Sequence, residues 1–373
     1  MSYEFSPLPT TPTAVQAAQG RLGHFSVCTG PNVIVGSGSG EMLWCSRMKL
    51  SVYNTLTGHW KLLETSGYNE FEFVSGSCAA IVAGSLFCFG GFDRTFGRID
   101  PMIELDFKTL KWSLVETTGR QPTPRDKLCC WVYGLNVYFF GGFGPRGIMK
   151  AEFKVMDDGY NGWNNGLYLF NTETKEWTEL EPTMATPCPR AAHAVAQLGA
   201  KAYVFGGRYE ENRMNDLHCF DCETSQWLGR IDSVGERPEG RSWHSFTPVS
   251  SELIFLHGGI NTQSEILSDS WLFNVKSTTW TRVDDPPGCA TRMWHTGCGR
   301  ADGEVFLFGG SSKCVFEEQE TSIHGNRMMI FRVTPRSLLR ICTEYVASVP
   351  DKFAEKLPFL PLQLQKLIQT VCR

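Results

Sequence analysis

The sequence predicts an all-β chain, a six-bladed β-propeller followed by a short α-helical tail, and three recurring markers carry that prediction. A Gly-Gly doublet ends a run of β-formers in "LFCFGG", "VYFFGG", "AYVFGG", "IFLHGG" and "VFLFGG", closing at Gly91, Gly142, Gly207, Gly259 and Gly310. The intervals give a period of about fifty residues, the signature of a repeat architecture. A tryptophan follows the first four doublets, about twenty residues on at Trp112, Trp227 and Trp280 and 35 residues on at Trp177, behind an insertion. Ahead of the doublets stands R-x-x-H, at Arg21/His24, Arg190/His193, Arg241/His244 and Arg292/His295.

The first unit is degenerate, with "VIVGSG" for its doublet and Trp60 at the repeat position, which brings the count to six. Within one unit, such as "AAHAVAQLGAKAYVFGGRYEENRMNDLHCFDCETSQWLGR", short runs of β-formers alternate with Gly, Asn and Asp turns and no 3.6-residue period is present. Each unit therefore predicts a small antiparallel sheet. Such a sheet cannot bury both faces alone, whereas six packed radially cover one another and leave only short edges. The glycine doublet suits a strand crowded against its neighbours, where a Cβ has no room. The sixth unit ends early: after "VFLFGG" comes "RMMIFRV" and then Pro335, with no repeat tryptophan. Ring closure is expected to borrow chain from the N-terminus, with residues 3–8, "YEFSPL", supplying the missing strand. The domains expected are residues 1–20 as a closing segment, 21–334 as the propeller and 335–373 as the tail.

That tail changes character. "TPRSLLRICTEYVASV" places Leu338, Ile341, Cys342, Tyr345 and Val346 at helical spacing behind Pro335, and "LPLQLQKLIQTV" does the same with Leu364, Leu367, Ile368 and Val371 behind Pro361. Two amphipathic helices follow, whose apolar faces must cover either the propeller or a partner.

Composition narrows the function. A net charge of −4, a pI of about 6.1 and the absence of any run of basic residues argue against nucleic acid or an anionic membrane as partner. Neither a signal-peptide layout nor 18 consecutive apolar residues occurs, so a soluble intracellular protein, cytoplasmic or nuclear, is expected. The fourteen cysteines are scattered over a long core-forming chain and read as reduced thiols. Cys219 and Cys222 have C-x-x-C spacing, but no second pair completes a zinc site, and a strand turns positions i and i+3 to opposite faces. Equivalent histidines on different blades spread around a ring instead of converging, and no nucleophile motif such as G-x-S-x-G is present. No cofactor, no metal and no catalytic role are expected.

Function in a propeller resides where the repeats differ. Unit three carries an insertion, "KAEFKVMDDGYNGWNNG", containing Trp163, and has "RDKLCC" with Lys127 where other units have R-x-x-H. Unit four follows its doublet with Arg208 and Arg213; unit five reads "GRSWHS", with Ser242 and Trp243 inside the marker. Segments after a doublet and before a first strand are expected to open on one face. Lys127, Phe143, Trp163, Arg208, Arg213, Ser242 and Trp243 then line one bowl. Planar guanidinium forks beside a hydroxyl and aromatic rings suit a ligand with an anionic end and a slender body, such as a peptide C-terminus.

The doublet, the spaced tryptophan and the period resemble the kelch repeat. In the tail, Ser337-Leu338-x-x-x-Cys342-x-x-x-Val346 matches the BC-box by which substrate receptors dock elongin B/C, and Leu360-Pro361-x-x-Leu364-x-x-x-Ile368 matches the box that selects cullin-2. Together with "RDKLCCWVY", "PRAAHA", "FGGRYEENRMNDLH" and "GRSWHSFTPVS", the chain from about Arg21 onward resembles kelch substrate receptors of cullin-RING ubiquitin ligases that recognise C-terminal diglycine degrons. The resemblance implies that Arg208, Arg213 and Ser242 hold the terminal carboxylate. It further implies that Trp163 and Trp243 wall the pocket, that Lys127 holds the peptide backbone, and that elongin B/C and cullin-2 with its RING protein are partners, cullin-5 being the alternative. Two departures bear on this: Phe143 stands where the family has Tyr, and unit one lacks a full doublet. The rival readings are a kelch scaffold, for example one binding actin, and a galactose-oxidase-like enzyme, for which no copper site of Tyr and His is visible.

Overall fold

The computed structural model describes residues 14–15, 18–40, 44–145, 161–283, 291–300, 303–314, 325–333, 338–353 and 355–371. Six sheets follow in chain order, their successive blade strands antiparallel, starting at Phe25–Thr29, Cys78–Val82, Cys129–Tyr133, Ala194–Leu198, Ser245–Pro248 and Met293–Gly299. Each first strand packs on the first strand of the next sheet, and Met293–Gly299 packs back onto Phe25–Thr29, so the ring closes. The turn between third and outer strands repeats in five blades. Asn54, Asp106, Asn171, Asp221 and Asn274 each accept, through the side chain, the backbone N–H groups two and three residues on. These Asx turns fix the hairpin and hence the register of the outer strand.

The repeat markers assemble the seams between blades. Four of the five repeat tryptophans stand at the start of an outer strand and reach back to a ring of the preceding blade, Trp177 to Phe89, Trp227 to Phe140, Trp280 to Phe205 and Trp60 to Phe308, at centroid distances of 4.9 to 5.1 Å, and Trp112 packs in a cluster with Phe25, Ile34 and Leu50 of blade one. The second glycine of each doublet donates its N–H to the carbonyl of the arginine that opens the following blade: Gly91 to Arg125, Gly142 to Arg190, Gly207 to Arg241, Gly259 to Arg292 and Gly310 to Arg21. Both glycines of a doublet have positive φ, 64° and 99° at Gly206 and Gly207. A Cβ on Gly206 would lie 2.7 Å from the Arg241 carbonyl. The doublet is thus required by backbone conformation as well as by the crowding expected from the sequence.

Gly310 and Trp60 join blade six to blade one with the same two contacts used elsewhere. Blade six has three strands among the described residues. Residues 3–8 lie outside the described residues. The part of the N-terminus that is described, Ala14–Val15, pairs with Trp60 and Lys61 on the outer edge of blade one. Blade six compensates for its missing tryptophan with Phe331, 5.0 Å from Phe255 of blade five.

The marker histidines sit in the same seams. His24 bonds Thr296 of blade six at 2.7 Å, His193 contacts Cys129 Sγ at 2.9 Å and His295 bonds Ser245 at 3.0 Å. Among the described residues no three His, Cys, Asp or Glu side chains converge as metal ligands, and the twelve cysteines described are free thiols. Burial first, and then the neighbouring arginine, hold His24 and His244 down to about 3. The folded state thus keeps both neutral while the unfolded chain protonates them near pH 6.5, so stability is present above that pH and lost as pH falls toward the folded value. We expect each to remove about 1 kcal/mol of unfolding free energy between pH 7 and 5.5, measurable as a falling urea midpoint.

The tail forms helices α1 (Leu338–Ser348), α2 (Pro350–Phe353) and α3 (Leu362–Val371), with α1 packed on α2 and α3. Thr343 and Ile368 are buried, whereas Leu338, Ile341, Cys342 and Tyr345 are exposed on α1. Among the described residues no helix is long and apolar enough to cross a membrane.

Candidate functional site

The third residue of the R-x-x-H frame forms a belt around the propeller axis. Gly76 N–H donates to Gly23 O, Lys127 to Gly76, Ala192 to Lys127, Trp243 to Ala192, Trp294 to Trp243 and Gly23 to Trp294, at 2.7 to 3.4 Å, which closes the circle. All six residues have φ between 55° and 71°. Four of them carry side chains in a left-handed conformation that disfavours a Cβ, so the hydrogen-bonded circle must hold them there. Below the belt a channel of about 240 Å³ runs between the first strands. Trp243 and Trp294 stack at 4.9 Å, and the Lys127 ammonium lies 5.6 Å from the Trp294 ring. These three side chains stand at the head of the channel.

Above the belt, the residue before it pairs with the residue after the same blade's doublet: Asp126 with Phe143, Ala191 with Arg208 and Ser242 with Ile260. The two kinds of segment therefore do share one face, as expected. Arg208 and Arg213 are cross-strand partners on a two-residue ribbon, Arg208–Tyr209 against Asn212–Arg213. Side chains directly opposite on such a pair lie on one face, which explains their five-residue spacing. Phe143 and Trp163 are partners on the equivalent ribbon of blade three, with rings 5.1 Å apart. Trp163 in turn lies 5.8 Å from the Arg208 guanidinium and 5.9 Å from Tyr209.

The two arginines differ in setting. Arg213 is buried, donates Nε to Ser242 Oγ at 3.0 Å and is tied through its backbone to Thr262 at 3.1 Å. Among the described residues no carboxylate lies within ion-pairing distance of it. Burial first, and the Arg208 charge second, lower its pKa. Arg190 and Arg241, by contrast, are buried and paired bidentately with Asp216 and Asp269. Arg208 is half-buried and bonds the Glu210 carbonyl at 2.6 Å and Glu211 at 3.4 Å; Glu211 is 91% exposed, a weak competitor for an incoming anion. A buried, carboxylate-free guanidinium beside a second one is a site that an anion stabilises.

All seven bowl residues expected from the sequence fall on this face. Phe143, Trp163 and Arg208 form a wall, Arg213 and Ser242 a buried corner, and Lys127 and Trp243 the floor. Trp243 is a floor residue, stacked on Trp294 and shielded from solvent. Sequence reasoning missed Trp294, although "RMWH" parallels "RSWH" and carried the signal. It also missed Asp126, Tyr209 and Arg98. Arg98 had no sequence signal, because only the fold brings it over Phe143, at 4.7 Å. Of the tail residues, Leu338, Cys342 and Pro361 are exposed, Val346, Leu360 and Leu364 half-buried and Ile368 buried, while Ser337 lies outside the described residues.

This architecture is that of a repeat propeller, and the comparisons agree. The model of the KLHDC2/KLHL20/DRC7 Kelch-repeats domain matches residues 23–163 and 157–310. The chain is 36% identical over 363 residues to Kelch domain-containing protein 2 of Bos taurus, covering 92% of this chain and 88% of that protein. It is 34% identical over 373 residues to Kelch domain-containing protein 1 of Homo sapiens, covering 95% and 90%. The solved structure of YjhT, at 15% identity, superposes with a TM-score of 0.62 over 87% of this chain and 97% of that one, a likeness of fold alone. The chain belongs to the kelch-repeat family, to the type of Kelch domain-containing proteins 1 and 2.

Proposed function

We propose that the protein is a non-catalytic substrate receptor of a cullin-RING ubiquitin ligase, acting in the cytoplasm or nucleus, which captures protein C-termini ending in Gly-Gly. The single observation that carries this reading is Arg213: a buried guanidinium, oriented by Ser242, without a carboxylate among the described residues and with Arg208 across the ribbon. A terminal carboxylate supplies the missing charge and accepts from both forks. Phe143 and Trp163 flank the peptide, Lys127 donates to its backbone, and Trp243 closes the floor, which favours residues without a side chain at the end. Calorimetry with a Gly-Gly peptide, its C-terminal amide and a Gly-Ala peptide tests this. Binding by the acid alone is expected; equal binding of acid and amide removes the carboxylate clamp and leaves a broad-surface kelch scaffold.

The tail supplies the ligase half of the proposal. Leu338 and Cys342 stand exposed one turn apart on α1, a row suited to a groove on elongin B/C, and the region from Leu360 to Ile368 would contact cullin-2 or cullin-5. Ile368, being buried, contributes there by holding α3 in place. Leu338→Ala with Cys342→Ala is expected to reduce elongin B/C co-purification at least tenfold while peptide affinity is unchanged. Undiminished co-purification rejects the tail assignment.

A further inference from the structure

One wall of the bowl carries a cation that the carboxylate site does not use. Arg98 lies on the short strand Gly97–Arg98, paired with Phe92–Asp93 after the doublet of blade two. Its guanidinium sits 4.7 Å from the Phe143 ring and 5.9 Å from that of Phe92. Nε donates to Asp126 Oδ1 at 3.1 Å; the Asp126 side chain is 3% exposed and that of Arg98 22%. Asp126 is fixed in turn, because its backbone exchanges both hydrogen bonds with Phe143 and its second carboxylate oxygen accepts from Lys127.

One buried carboxylate therefore serves two cations, and the group of Arg98, Asp126 and Lys127 keeps one positive charge in excess. The terminal amino groups of Arg98 have no hydrogen-bond partner among the described residues. Stacking on Phe143 holds the guanidinium plane, so its free donor edge is preorganised. Arg98, Phe143, Trp163 and Arg208 form a continuous series of contacts at 4.7, 5.1 and 5.8 Å. An extended peptide advances about 3.3 Å per residue and so follows that series in roughly three to five residues.

We propose that Arg98 is a specificity-determining residue, which selects an acidic side chain roughly three to five residues ahead of the C-terminus of the bound peptide. The inference rests on the C-terminal carboxylate lying between Arg208 and Arg213. A Glu or Asp there pairs with the free edge of Arg98 and offsets the excess charge, while a Lys is repelled by Arg98 and Lys127 together. The pair is partly exposed, so its effect is moderate and screened by salt.

The test measures fluorescence-polarisation affinities of the full chain for alanine-rich peptides ending in Gly-Gly, with Glu, Gln or Lys placed in turn at the third to sixth positions from the end. At one register Glu is expected to bind roughly three- to tenfold tighter than Gln, and Lys more weakly than Gln, with the spread shrinking as salt rises. Arg98→Gln brings the Glu to Gln ratio close to one, Arg98→Glu turns the preference toward Lys, and Arg98→Lys keeps its sign. A ratio of one at every register, while the Gly-Gly acid still binds and its amide does not, overturns the role of Arg98 alone. So does a Glu preference that survives Arg98→Gln. Equal binding of acid and amide, or no binding by any peptide, overturns the carboxylate reading and this inference with it.

Discussion

Arg213→Ala is expected to lower the affinity for a Gly-Gly peptide by roughly 2 to 5 kcal/mol, the largest loss of any single bowl residue. The site is desolvated on the protein side already, so the peptide carboxylate loses its water on entry and regains it only through charge-assisted bonds. Without Arg213 the carboxylate is left with Ser242 and the more exposed Arg208. Arg213→Lys fails nearly as badly, because an ammonium cannot both engage Ser242 through an Nε and present a planar fork to the ligand. Arg208→Ala costs less, roughly 1.5 to 3 kcal/mol, since this side chain is partly solvated. Calorimetry on the three variants checks the order. An Arg213→Ala chain that binds within twofold of the parent rejects the clamp.

The second large effect concerns stability. Arg190→Ala is expected to cost about 3 to 5 kcal/mol of unfolding free energy, the range for removing one partner of a buried ion pair. Arg190 is fully buried and donates to both Asp216 oxygens at 2.9 and 2.8 Å, to the Gly206 carbonyl at 3.0 Å and to the Cys188 carbonyl at 3.1 Å. His218 and Arg190 hold the Asp216 carboxyl well below its ordinary range against the opposing effect of burial. Removing the arginine leaves that carboxylate with His218 alone and opens the doublet turn at Gly206. A double variant, Arg190→Met with Asp216→Leu, recovers much of the loss because no charge remains buried. Urea unfolding of the single and double variants reads this directly. A single variant within 1 kcal/mol of the parent rejects the account.

The sequence by itself determined the number of blades, their order, the strand content and the face on which the bowl opens. Those properties follow from local rules repeated along the chain. Alternating β-formers and Asx turns at Asn54 or Asp221 specify hairpins. The doublets specify positive-φ turns, and the tryptophans specify seams. Arg208 and Arg213 were legible because unit four departs from the other repeats just after its doublet, whereas the ribbon that makes them cross-strand partners came from the structure.

Only the tertiary structure decided what required atoms from different blades. It joined Gly23, Gly76, Lys127, Ala192, Trp243 and Trp294 into one hydrogen-bonded circle and stacked Trp294 on Trp243. It brought Arg98 of blade two over Phe143 of blade three and shared Asp126 between two cations. It also left Arg213 without a carboxylate among the described residues while pairing Arg190 and Arg241. The contacts between blades join residues far apart in sequence, whose distance is set by the radius and closure of the ring, and no local pattern encodes that radius.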